Sequence, residues 1–164
     1  MFRLGAFEGE GMILNLLKKI LVCLDGEQHS QRAQEYALAL AKATGAHLTA
    51  LHVENPYLKQ FHHEIYAAGR REYVAYVDNL LRDLAGKTLA EFSQTAAVQG
   101  IAHAIKSRHG NPLDEIVKET EENNYDLVVV GGKYLRGLER LKSENLPNKL
   151  EKVLKTALLI VKQQ

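Results

Sequence analysis

The run Lys19-Ile20-Leu21-Val22-Cys23-Leu24 is apolar after its first residue, stops at Asp25-Gly26, and passes at once into a helical pattern. Such a run suits a central strand, and strands of this kind belong to parallel sheets covered by helices on both faces. In an open sheet of that class, ligands bind beyond the carboxyl ends of the strands. Asp25 stands at such an end, where a small molecule, above all a nucleotide, would be met. Asp in a turn also bonds local backbone groups, so the residue carries two readings.

The rest of the chain alternates in the same way. Ser30 is placed to cap a helix whose apolar positions are Ala33, Tyr36, Ala37, Leu40 and Ala41, with Gly45 as its C-terminal stop. Leu48 to Val53 reads as a second buried strand. Residues 57–98 read as mostly helical, with Val74, Val77, Leu81, Leu84 and Thr88 at helical spacing and Gly69 or Gly86 marking a break. Ile101 to Ser107 reads as a third strand. Asn111-Pro112 opens a helix bearing Leu113, Ile116, Val117 and Thr120 on one side. Asp126-Leu127-Val128-Val129-Val130-Gly131 is a fourth strand. Pro147 opens a helix with Leu150, Val153 and Leu154 inside, and Leu158 to Lys162 is the last strand. Five strands with helical crossovers make a doubly wound α/β sheet.

Composition narrows the function. The chain has 164 residues, with 21 basic and 20 acidic side chains and a formal charge of +1. That balance offers no basic face for nucleic acid or an anionic membrane. No apolar run approaches the roughly 20 residues of a membrane span. The single cysteine, Cys23, cannot form an internal disulfide, so a reducing cytoplasm is expected. Residues 1–16 read as a flexible extension before one domain over 17–164.

Several segments together resemble the universal stress protein family. They are Ile20 to Ser30, Ala37 to Ala43 with Gly45-Ala46, Leu51-His52-Val53, Gly110-Asn111-Pro112, Asp126 to Gly131, Gly137-Leu138, Glu151 to Leu154 and Leu158 to Val161. The resemblance covers residues 17–162 in order. It implies a five-stranded parallel sheet of order 3-2-1-4-5 with helices on both faces, the adenine nucleotide alpha hydrolase-like architecture. It also implies frequent dimerisation, often through the last strand. Leu158-Leu159-Ile160-Val161 is an apolar terminal strand guarded only by Lys162, and such an edge either pairs with a second chain or is covered by a loop or helix.

Members that hold ATP carry a loop of the form G-x2-G-x9-G-[ST] after the fourth strand. Glycines let backbone N–H groups approach phosphate, and a hydroxyl and a helix N-terminus complete the cradle. Here Gly131 and Gly132 are present, but Tyr134 stands at the second glycine. Pro147-Asn148 stands at Gly-Ser or Gly-Thr, with about three extra residues within 142–146. Tyr134 adds a side chain and Pro147 has no N–H to donate. The base-binding half is better kept: by resemblance Asp25 would accept from the adenine or ribose side, and Val53, Val130 and Gly131 would line the crevice. Lys133, Arg136, Arg140, Lys142 and Lys149 either supply charge toward phosphate or form a solvated surface. The nucleotide crevice that the resemblance implies is thus Asp25, Val53, Val130, Gly131, Lys133, Tyr134 and Asn148.

Other chemistry is thin. His62-His63-Glu64 points in several directions on a helix and makes no metal site. Cys23 sits within a strand and reads as a small buried hydrophobe. His103 and His109 have no Ser or Cys partner at a telling spacing. No P-loop, dinucleotide fingerprint or receiver-type acidic pair is formed. The expectation is a cytoplasmic dimeric domain with a degenerate ATP loop, without catalytic residues, metal or cofactor. It would act in regulation or protection by binding an unidentified protein. The alternative is an ATP- or AMP-binding sensor with at most slow hydrolysis. A small-molecule enzyme is set aside because no nucleophile and base can be named.

Overall fold

The computed structural model describes residues 16–56, 70–133 and 145–163. The expected extension apart from Leu16, the His62-His63-Glu64 group, Gly69, Tyr134, Arg136, Arg140 and Lys142 lie outside them. The elements are β1 (Lys19–Cys23), α1 (Gln28–Thr44), β2 (His47–Glu54), α2 (Arg70–Val98), β3 (His103–His109), α3 (Pro112–Asn123), β4 (Leu127–Gly132), α4 (Leu146–Val153) and β5 (Ala157–Lys162). The five strands form one parallel sheet in the order β3-β2-β1-β4-β5. This is the α/β fold expected from the alternation of apolar runs and helical patterns.

Side-chain alternation divides the core into two layers. Ile20, Val22, Leu24, Leu48, Ala50 and Val129 face α1 and α2, where they meet Ala33, Ala37, Leu89 and Phe92. Leu21, Leu51, Val128 and Val130 face α3 and α4, where they meet Ile116 and Leu150. Ile20, Leu21 and Val22 are all fully buried. Each contributes about 1.5–3 kcal/mol relative to an exposed side chain, which explains why β1 occupies the middle of the sheet.

The order of strands fixes the switch point. After β1 the chain moves outward to β2 and β3; after β3 it returns and moves the other way through β4 and β5. The carboxyl ends of β1 and β4 therefore flank the crevice where such sheets take ligands.

Local details differ from the sequence reading in four places. Helix α1 begins before Ser30, with Glu27 at the cap position and no side-chain bond from Glu27. Tyr36 is 46% exposed, because Leu38 takes the inward position instead; the Arg32 guanidinium lies over the Tyr36 ring. Helix α2 runs unbroken through Gly86 and buries Tyr73, Val77, Leu81, Ala85, Leu89, Phe92 and Ala96, leaving Val74 and Leu84 exposed. Strand β3 starts two residues later than Ile101, since Gly100 turns the chain with φ +69° and Ile101 still bonds back to Ala96.

Candidate functional site

The loop between β1 and α1 is built around Asp25. The Glu27 N–H donates to Asp25 Oδ1 at 2.8 Å, which closes an Asx turn. His29 Nε2 meets Asp25 Oδ2 at 2.9 Å, one helical turn on. Ser30 does not cap by its expected geometry: its hydroxyl donates to the Glu27 carbonyl at 2.9 Å and accepts weakly from the Asp25 N–H at 3.4 Å. Gly26 has φ +81°, and a Cβ there would press on Thr88 Oγ1 at 3.1 Å. The turn is thus tight, glycine-dependent, and covered by α2.

Gly131 answers this loop from β4. A Cβ on Gly131 would lie 2.6 Å from the His29 carbonyl carbon, closer still to its oxygen, and 3.0 Å from the ring carbon Cδ2. The bare backbone at Gly131 therefore lets the first turn of α1 seat directly on β4. The His29 side chain is only 11% exposed, whereas Asp25 is 51% exposed. His29 fills the switch-point crevice with its carbonyl and its ring. The sequence held a signal for this pairing, the i, i+4 spacing of Asp25 and His29.

The remaining expected residues lie at the same end of the sheet. Val53 is half-buried near the end of β2 and packs on the layer under α3 and α4, as does buried Val130. Lys133 follows β4 and is exposed. Asn148 is exposed on α4, while Pro147, in the first turn of that helix, is buried. A buried proline removes one of the backbone donors that a helix N-terminus offers to phosphate. The Asn145 side chain makes no capping bond to this helix.

Two buried polar groups escaped the sequence reading. Glu119 of α3 is fully buried. It accepts from Lys106 Nζ at 2.6 Å, Arg108 Nε at 2.7 Å, Tyr125 Oη at 2.8 Å and Asn123 Nδ2 at 2.9 Å. Burial alone would raise its carboxyl; the bonds from Lys106, Tyr125 and Arg108 outweigh that and hold it below the usual carboxylate range. Arg108 also reaches Glu122 and Glu115. This network ties β3 to α3.

The second group is His52, 3% exposed at the end of β2. Its Nδ1 finds no hydrogen-bond partner among the described residues. Burial lowers its pKa below the ordinary 6.5, against the opposing pull of Asp25 and Glu54.

Ser93 and His103 do meet, at 2.9 Å, and His103 Nδ1 donates to the Ile101 carbonyl at 2.9 Å. That pair lies at the opposite end of the sheet from the crevice, where the Phe92 ring packs against the imidazole edge to face. Burial pushes the Cys23 thiol up to about 12, so it stays protonated and unreactive at neutral pH. Among the described residues no group of three His, Cys, Asp or Glu side chains is arranged to hold a metal, and no helix is long and apolar enough to cross a membrane.

Comparison with known proteins agrees with this architecture. Residues 17–162 match the universal stress protein family. Universal stress protein MJ0531 of Methanocaldococcus jannaschii is 28% identical over 151 residues, covering 91% of this chain and 84% of its own. Universal stress protein YxiE of Bacillus subtilis is 25% identical over 150 residues, covering 90% of this chain and all of its own. Among solved structures, a family protein from Arabidopsis thaliana with AMP bound superposes with a TM-score of 0.63 at 18% identity, over 90% of this chain and 92% of that one. The order of the strands, the Asp-bearing turn after β1 and the match along nearly the whole sequence agree: the chain belongs to the universal stress protein family.

Proposed function

We propose that this protein is a regulatory or protective stress domain that works in the cytoplasm as a dimer, by binding a protein partner, and does not hold ATP tightly. The observation that carries this reading is the packing of His29 onto Gly131. The glycine that would begin a phosphate cradle serves instead to seat α1 on β4. Buried Pro147 weakens the other side of the cradle by removing a donor from α4. Asp25 is spent on the turn and on His29.

The dimer reading rests on the contrast between the two edges of the sheet. Edge strand β3 (His103–His109) is mostly polar, which makes it a poor surface for pairing with a second chain. Edge strand β5 presents half-buried Leu158, Leu159 and Ile160 and buried Val161, with Lys162 as its charged end. An apolar edge strand paired on one side only, among the described residues, suits a second copy of this chain.

One observation favours a second reading, an adenine-nucleotide sensor with at most slow hydrolysis. The Arabidopsis protein of the same fold was solved with AMP, and Asp25, Val53, Val130 and Gly131 of this chain lie toward the carboxyl ends of their strands, where sheets of this class take ligands.

Two measurements separate these readings. The small molecules released on denaturing freshly purified protein should contain no stoichiometric adenine nucleotide; a full equivalent of ATP or AMP would replace the first reading by the second. Ile160→Lys should lower the mass found by sedimentation from dimer to monomer. An unchanged dimer mass would move the contact away from β5.

A further inference from the structure

We infer that the His29 imidazole is the group that keeps adenine nucleosides out of the crevice between β1 and β4, acting as an internal occupant of the Asp25 carboxylate. The inference rests on the closed-crevice reading above and names the side chain responsible for the closure.

Three observations converge on this one residue. His29 Nε2 lies 2.9 Å from Asp25 Oδ2, while the other oxygen serves the Glu27 N–H. Each Asp25 oxygen thus already has a protein nitrogen beside it, although the side chain remains 51% exposed and within reach of solvent. The imidazole carbon Cδ2 stands 3.0 Å from the position of a Gly131 Cβ, so the ring bridges the two walls of the crevice. With the ring only 11% exposed, an amino or hydroxyl group approaching the inner oxygen of Asp25 must first displace it.

The backbone and the side chain of His29 make separable contributions. Its carbonyl is the part pressed on Gly131, and that contact survives any substitution of the side chain. Removing the ring therefore frees Asp25 without reopening the backbone at Gly131. The ligand class released is a nucleoside, read through its ribose hydroxyl or exocyclic amine. A polyphosphate tail gains nothing. The gain in affinity should accordingly be the same for adenosine and for ATP.

The test is calorimetric titration of the full chain with adenosine and with ATP, in the wild type, His29→Ala and the double variant His29→Ala with Asp25→Asn. A hydrogen bond to a carboxylate is worth enough to expect a gain of about tenfold or more in adenosine affinity on removing the ring. The ATP gain should match it, and Asp25→Asn should abolish both. His29→Asn, too short to reach Asp25 Oδ2, should repeat the effect and guards against a folding defect in the alanine variant. Folded variants with no gain for adenosine would overturn the inference, as would a gain that survives Asp25→Asn or one confined to ATP. Micromolar adenosine binding by the wild type would refute the closed crevice itself, and the inference with it.

Discussion

Replacing Gly131 by alanine distinguishes a packing glycine from a phosphate-binding one by the sign of the change in stability. Gly131 is not among the residues with positive φ, so alanine meets no backbone strain there. If the bare backbone were merely kept for a ligand, Gly131→Ala would stabilise the protein by about 0.4–1 kcal/mol, through the reduced entropy of the unfolded chain. The structure dictates the opposite. The new Cβ falls about 1 Å short of ordinary contact with the His29 carbonyl, a backbone group at the start of a 17-residue helix. Relief requires lifting the first turn of α1, which carries buried Ser30, and straining its seat on Ala33 and Ala37. Overpacking of this kind costs about 1–3 kcal/mol and more where backbone must shift; we expect about 3 kcal/mol. For a domain of this size that lowers Tm by roughly 6–12 °C. Urea unfolding followed by far-UV circular dichroism, with calorimetry for Tm, reads both quantities. A variant as stable as the wild type, or more stable, would refute the reasoning.

Other outcomes follow from the buried polar groups and the caps. Glu119→Ala strands Tyr125, Lys106 and one arm of Arg108, and should cost about 3 kcal/mol in urea unfolding; the figure sits at the low end for a buried pair because Lys106 keeps access to water. His52 is held below its unfolded pKa of 6.5, so the unfolded chain binds the extra proton. Stability should fall as pH drops below about 6.5 and keep falling until the folded value is passed. Unfolding midpoints across roughly pH 5 to 8 should show this slope in the wild type and a flatter one in His52→Gln. Glu119, depressed below 4.5, adds a second loss only at lower pH. Asn111→Ala removes the bond that Asn111 Oδ1 accepts from the Leu113 N–H at 3.0 Å, and should cost about 1 kcal/mol by the same assay.

The legible parts of the fold are those with local causes. Ile20 to Leu24 and Leu127 to Val130 announce buried strands because both faces must be apolar. Asn111-Pro112 and Gly45 announce helix ends because cap chemistry is local: Gly45 has φ +71° and its N–H donates to the Ala41 carbonyl. What failed depended on distant partners. Val74 and Leu84 keep the helical period, yet the buried face of α2 is centred elsewhere. Nothing local in the sequence announces that Lys106 and Arg108 bind Glu119, 13 and 11 residues away. Ser30 looks like a cap, but the helix starts at Gln28, so Ser30 lies within its first turn and its hydroxyl donates back to the Glu27 carbonyl.

The candidate site divides along the same line. The position of Asp25 at a strand end follows from the sequence alone, and so does the missing N–H at Pro147. The occupant of the crevice does not, because the approach of His29 to Gly131 is set by how α1 lies across β4.

The closed crevice is tested most directly by the affinity of the unmodified protein for ATP. Titration by isothermal calorimetry should give a dissociation constant weaker than about 100 µM, roughly −5.5 kcal/mol, with no gain of ATP over adenosine. Micromolar binding of ATP, lost in Asp25→Ala and stronger than that of adenosine, would mean that the phosphates find a cradle at Gly131 after all, and would contradict it.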